Sequence, residues 1–119
     1  MGIRIVHFGE DTFNRISTLK SNGYSVDECY SLSELHASLV GFLPADAVTI
    51  AENDKDGAVT DHAISLTRSI SAAPLILFRS ESQHFSAPEI DLVVPLNAGT
   101  DDWLNDLAKL IERSSRRDT

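Results

Sequence analysis

Five short β-prone runs recur along the chain, at residues 3–8, 24–30, 46–51, 75–78 and 92–94, and most of what separates them has the spacing of an amphipathic helix. Each run is too short to be a helix, and most of the intervals are long enough to carry the chain back to the start of a parallel neighbour. Strand and helix in alternation imply right-handed crossovers and a parallel sheet covered on both faces, the doubly wound α/β arrangement. The interval between the fourth and fifth runs is the exception. Residues 79–91 show little helical periodicity and carry Pro88 near their end, so the helix there is expected to be shortened or absent.

Local signals agree with this order. Ile3-Arg4-Ile5-Val6-His7-Phe8 is closed by Gly9, and Glu10-Asp11-Thr12 then offers helix-capping oxygens. Phe13, Ile16 and Leu19 fall at helical spacing until Asn22-Gly23, a helix stop. Residues 24–30 nearly alternate polar and apolar, which suits a strand with one wet face at or near a sheet edge. Ser31-Leu32-Ser33-Glu34 has capping-box spacing ahead of Leu35, Leu39 and Val40. After the third run, Asp54-Lys55-Asp56-Gly57 reads as a turn, and Val59, Ala63, Leu66 and Ile70 as a third helix ended by Ala73-Pro74. Leu75-Ile76-Leu77-Phe78 is apolar throughout, as central parallel strands are, and Pro95 stops the fifth run. Thr100-Asp101-Asp102 caps a last helix bearing Trp103, Leu104, Leu107, Leu110 and Ile111, with a basic end at Arg113, Arg116 and Arg117 that complements the helix dipole.

At 119 residues the chain is expected to form a single domain over its full length, 1–119. Aliphatic and aromatic residues make up 42% of it against 24% charged, a globular composition. Eighteen acidic side chains face ten basic ones, a net charge of −8 that disfavours a grip on phosphate backbone, so direct nucleic-acid binding is not expected. The apolar runs are far short of a membrane span, and the first residues lack a signal-peptide core, which argues for a cytoplasmic protein without a membrane partner. The single cysteine, Cys29, excludes an internal disulfide and any multi-cysteine metal site.

In a doubly wound sheet, function is sought at the carboxyl ends of the strands, near the switch in strand order. Those ends carry Gly9, Glu10 and Asp11; Glu52, Asn53 and Asp54; Arg79 and Ser80; and Pro95. Their order, together with Asn22-Gly23-Tyr24-Ser25-Val26, Pro44-Ala45-Asp46-Ala47-Val48, Ala73-Pro74-Leu75-Ile76-Leu77-Phe78 and Val93-Val94-Pro95, resembles the receiver domain of two-component response regulators. The resemblance covers essentially the whole chain. It implies a flavodoxin-like fold in which an acidic pair after the first strand and an aspartate ending the third hold Mg²⁺ and accept a phosphoryl group.

The departures from that family's pattern fall on its chemistry. Ala51 stands where the phosphoryl-accepting aspartate belongs, Arg79 where a hydroxyl residue belongs, and Val94 where a lysine belongs, while Glu10 and Asp11 keep the acidic pair. The resemblance thus implies an atypical receiver, a pseudo-receiver, that is not phosphorylated and acts through protein contacts. A kinase, an output domain or a second copy of the chain in a homodimer all stand open as partners, and so does weak Mg²⁺ binding at Glu10 and Asp11. Pro95, beside the degenerate lysine position, is a candidate for a cis peptide bond.

Two other readings stay open. Slipping the alignment by one residue makes Glu52 the acid ending the third strand and Ser80 the hydroxyl, which would need a strand bulge to turn Glu52 inward; Asp54 is a further acceptor candidate for a phosphorylatable receiver. The other is a small α/β ligand-binding domain. Arg79 could pair with Glu10, Asp11 or Glu52 and do without a metal. The four histidines, His7, His36, His62 and His84, share no metal spacing, and His7 inside a strand reads as a core or near-core side chain. Cys29, flanked by Asp27 and Glu28, reads as an inert, half-buried thiol, and Trp103 as packing on the sheet. No phosphate loop, nucleophile elbow or zinc motif is present, so no enzyme is expected.

Overall fold

The computed structural model describes residues 3–10, 14–41, 44–52, 57–79, 90–95 and 98–117, with residues 57 and 115–117 described for their backbone only. Their elements run β1 (Arg4–Phe8), α1 (Arg15–Ser21), β2 (Ser25–Cys29), α2 (Leu32–Val40), β3 (Ala47–Ala51), α3 (Gly57–Ile70), β4 (Leu75–Phe78), β5 (Leu92–Val94) and α4 (Thr100–Arg117). The five strands form one sheet in the order β2-β1-β3-β4-β5, every pair parallel. This is the doubly wound arrangement expected from the alternation of runs. β2 is an edge strand, as its alternating pattern required. Residues 80–89 lie outside the described residues, and among the described residues no helix stands between β4 and β5.

Alternation along each strand splits the core in two. Val6, Phe8, Val48, Ile50, Leu75 and Leu77 point to one face, where Leu35 and Leu39 of α2 and Ala63 and Ile64 of α3 cover them. Ile5, Ala47, Ile76, Phe78 and Val94 point to the other, under Leu19 of α1 and Trp103, Leu107 and Ile111 of α4. Trp103 is thus a core residue, packed on the sheet as expected.

The helix ends show how local chemistry fixes the frame. α1 stops where Asn22-Gly23 required. Gly23, at φ 90, donates its N–H to the Lys20 carbonyl at 3.1 Å, and Tyr24 N–H reaches back to the Leu19 carbonyl at 3.2 Å. That pair of bonds is a Schellman motif, and Tyr24 packs in the same cluster as Leu19. At α2, Ser31 Oγ accepts from Glu34 N–H at 3.1 Å, while Glu34 Oε1 accepts from Tyr30 N–H at 3.3 Å, a capping box shifted back by one donor. Two expected boundaries differ. α1 starts at Arg15 after Asn14, whose side chain makes no capping bond, so Glu10 lies too far ahead to cap it; Asp11 and Thr12 lie outside the described residues. Gly57 opens α3 rather than ending a turn, and Asp54, Lys55 and Asp56 lie outside the described residues.

At the amino-terminal edge of the sheet, two charged residues hold the strand starts. Arg4 bonds Asp27 Oδ2 through Nε at 2.8 Å and the Ser38 carbonyl through Nη2 at 3.1 Å, and its N–H donates to Asp46 Oδ2 at 2.8 Å. Asp91 Oδ2 accepts from Leu75 N–H at 2.9 Å and from Arg68 Nη2 at 2.6 Å, joining β4, β5 and α3.

Candidate functional site at the strand ends

The strand order reverses direction between β1 and β3, so the crevice at the sheet's carboxyl end opens between Gly9 and Ala51. Gly9 has φ 108, a conformation that side chains disfavour, and its N–H donates to the Cys29 carbonyl at 3.0 Å. A Cβ at position 9 would also lie 3.0 Å from Ala51 Cβ and 3.2 Å from the Ala51 carbonyl oxygen. The two strand ends are therefore in contact across the crevice, and glycine is required on both counts.

The register of β3 decides which residue faces that crevice. Val48 N–H donates to the Pro74 carbonyl at 2.9 Å, and Glu52 N–H to the Phe78 carbonyl at 2.9 Å, four residues further along both strands. Ala51 pairs with Phe78 in the same ladder. An inserted residue would have broken this match, so the strand end holds no bulge. Ala51 stays on the face of Thr49, and Glu52 continues the opposite face, that of Val48 and Ile50. Glu52 is nevertheless buried, at 8% exposure. The bulge that the slipped alignment needs is not there.

The other sequence-derived positions are distributed as follows. Glu10 is exposed and Arg79 partly buried, with Arg79 N–H donating to the Val94 carbonyl at 2.9 Å. Val94, which the resemblance sets at a lysine position, is fully buried in the apolar core among Phe78, Trp103 and Leu107. Pro95 is exposed, and no peptide bond among the described residues is cis. The Val94–Pro95 bond is therefore trans, which corrects the cis expectation; trans is the intrinsically preferred isomer of an X-Pro bond. Asp11, Asn53, Asp54 and Ser80 lie outside the described residues. Among the described residues no three His, Cys, Asp or Glu side chains converge as cation ligands.

Beneath Ala51, on its own face, is a polar layer that sequence reasoning did not assemble. His7 and Thr49 are both buried, and 2.7 Å separates His7 Nδ1 from Thr49 Oγ1, a hydrogen bond whose direction follows the imidazole tautomer. His7 lies 5.9 Å from the Phe78 ring, which meets Trp103 edge-on at 5.4 Å. Arg15 is buried in the same layer, 6% exposed, with its guanidinium carbon 4.7 Å from the Phe78 centroid and 5.9 Å from that of Trp103. Its Nη2 donates to the Pro95 carbonyl at 3.3 Å. One signal could have found it: Arg15 sits four residues before Leu19, on the inward stripe of α1.

Away from the crevice, burial pushes the Cys29 thiol up from its ordinary value, against a hydrogen bond to Ser38 Oγ at 3.4 Å that pulls it down. Cys29 is fully buried rather than half-buried, and the thiol is held protonated. Exposed Glu28 is shifted the other way by the Tyr30 hydroxyl, which donates to it at 2.7 Å. A separate open pocket of about 770 Å³ lies at the opposite, amino-terminal end of the sheet, lined in part by Arg68, Pro74, Asp91, Leu110 and Arg113.

No family model and no curated protein sequence matches the chain. Solved structures do match its fold. The N-terminal domain of a response regulator/sensory box/GGDEF three-domain protein from Carboxydothermus hydrogenoformans superimposes with a TM-score of 0.77 over 98% of this chain and 99% of its own, at 12% identity. A response regulator receiver domain protein from Clostridium thermocellum gives 0.76 over 95% and 97%, at 13% identity. A two-component response regulator from Clostridium difficile gives 0.76 over 94% and 98%, at 14% identity. The chain has a receiver-domain fold. At these identities the likeness is one of architecture, and what this receiver fold does is argued from its own strand ends.

Proposed function

We propose that this receiver fold is a pseudo-receiver, a signalling module that is not phosphorylated and acts by contact with another protein. The observation that carries the reading is Ala51: the unbulged register of β3 puts a methyl group at the mouth of the crevice, against Gly9. A methyl group offers no oxygen to accept a phosphoryl group. Val94, buried in the core, removes the cation that would neutralise one. The chemistry of the site has gone while the scaffold that positions it is intact, and a scaffold kept without its chemistry is suited to presenting surfaces. The partner would be a kinase, an output domain or a second copy of the chain. Glu10 would be left as a solvated carboxylate, with weak Mg²⁺ binding as the most a cation could gain there.

The test is amide NMR of the protein titrated with Mg²⁺ and then with beryllofluoride, which mimics an acyl phosphate. The expected spectrum shows no shifts at Gly9, Glu10, Ala51 or Glu52 that require both additions. Shifts at these residues appearing only with both present would revive the phosphorylatable receiver, with Glu52 or Asp54 as acceptor. A small molecule saturating the pocket at Arg68 and Asp91 would instead favour the α/β ligand-binding reading.

A further inference from the structure

Arg15 is the one charged side chain of α1 that lies in the core, and it stands at the first helical position, directly after Asn14 in the left-handed conformation at φ 56. Asparagine tolerates that conformation better than most residues, and the reversal of chain direction it makes sends the next residue toward the sheet. The guanidinium there stacks over Phe78, faces Trp103, and donates to the Pro95 carbonyl. It therefore touches β4, the turn after β5 and α4 at once, from an anchor on α1. Phe78 in turn is the β4 partner of Ala51. A buried cation is stable only when its hydration is replaced, and the Phe78 and Trp103 faces with the Pro95 carbonyl supply part of that replacement.

We propose that Arg15 is a latch that fixes α4 and the β5–α4 turn against the sheet, whether or not anything occupies the strand-end crevice. Moving α4 outward would take Trp103 away from the guanidinium, and moving the end of β5 would take away the Pro95 carbonyl, so either motion leaves the buried charge with fewer partners. The outer face of α4 is thereby presented in one constant position. The latch goes beyond the pseudo-receiver reading and is read without Mg²⁺ or a phosphate analogue, so the two stand or fall separately.

Trp103, the single tryptophan of the chain, is a built-in reporter because it is 5% exposed and faces the guanidinium. Arg15→Met keeps the stem and removes the charge and donors; Arg15→Lys keeps the charge and removes the planar stack. With both variants folded by circular dichroism, acrylamide quenching of Trp103 is expected to rise several-fold. Amide exchange over Trp103 to Ile111 is expected to quicken about 30-fold in Arg15→Met, while Val48 to Ile50 stays at the parent rate. Quenching and exchange unchanged in Arg15→Met would overturn the latch. So would equal acceleration at Val48 to Ile50, which would make Arg15 a general stabiliser, and so would full restoration by Arg15→Lys, which would make a point charge sufficient.

Discussion

The two faces of the sheet are built from the same strands yet follow different rules. Under α2 and α3 the strands bury aliphatic and aromatic side chains, and the polar groups at that depth, Thr60 and Thr67 on α3 and Glu52 after β3, include a hydroxyl satisfied within its own helix, Thr67 Oγ1 donating to the Ala63 carbonyl at 2.7 Å. Under α1 and α4 the same depth holds an imidazole, a threonine hydroxyl and a guanidinium. On the first face stability comes from area removed from water, which any well-shaped apolar side chain supplies. On the second, each polar group must find its partner across the fold, and the partners lie on β3, β4, α4 and the turn after β5 at once. The comparison teaches that this fold places its specificity on the face that carries Ala51, the residue that defines the strand-end crevice.

The largest break in the comparison would come from the aliphatic face. Ile50 is fully buried and its truncation by Ile50→Ala leaves a cavity between α2, α3 and the sheet, with an expected loss of about 3 kcal/mol in urea denaturation. A loss under about 1 kcal/mol would show that this face repacks freely and is not a close-packed core.

A smaller and more diagnostic effect belongs to the polar face. Thr49→Val should cost about 2 kcal/mol, because it removes the hydroxyl bonded to His7 and leaves the imidazole in place. His7→Leu combined with Thr49→Val should cost less than the sum of the two single changes. A double-mutant cycle measures the difference, and strict additivity would mean that the bond contributes nothing to the layer.

The smallest effect tests whether the aliphatic face is as inert as it looks. Burial raises the Cys29 thiol above its unfolded value of 9.0, so its contribution is fully present below that value and is lost as pH climbs through the higher folded one. Stability should therefore fall above about pH 9 by more in the parent than in Cys29→Ala. The native thiol should also resist alkylation at neutral pH until the protein unfolds. Identical pH profiles would show that water reaches the thiol and that the face is less tightly closed than its burial indicates.

Much of this was legible in the chain. The alternation of β-prone runs with helical spacing announced the layers and the parallel sheet, Asn22-Gly23 and Ser31-x-x-Glu34 marked real helix ends, and Ala51 was identified as the end of β3. His7 and Trp103 were recognised as core residues from their places on a strand and on an apolar stripe. The start of α1, the helical place of Gly57 and the trans bond before Pro95 were not, because competing local signals differ by less than a tertiary contact is worth.

What the sequence determined by itself is therefore whatever depends on neighbours in the chain: period, caps, strand order of appearance, and the residue types at the strand ends. What the tertiary structure alone decided is which distant residues meet. The straight register that puts Ala51 and not Glu52 on the crevice face, the bond from His7 to Thr49, and the seat of Arg15 between Phe78, Trp103 and Pro95 all join segments far apart in the chain. Local propensity carries no information about such meetings, since a one-residue slip of β3 would reverse every side chain on it while leaving each short stretch equally well formed.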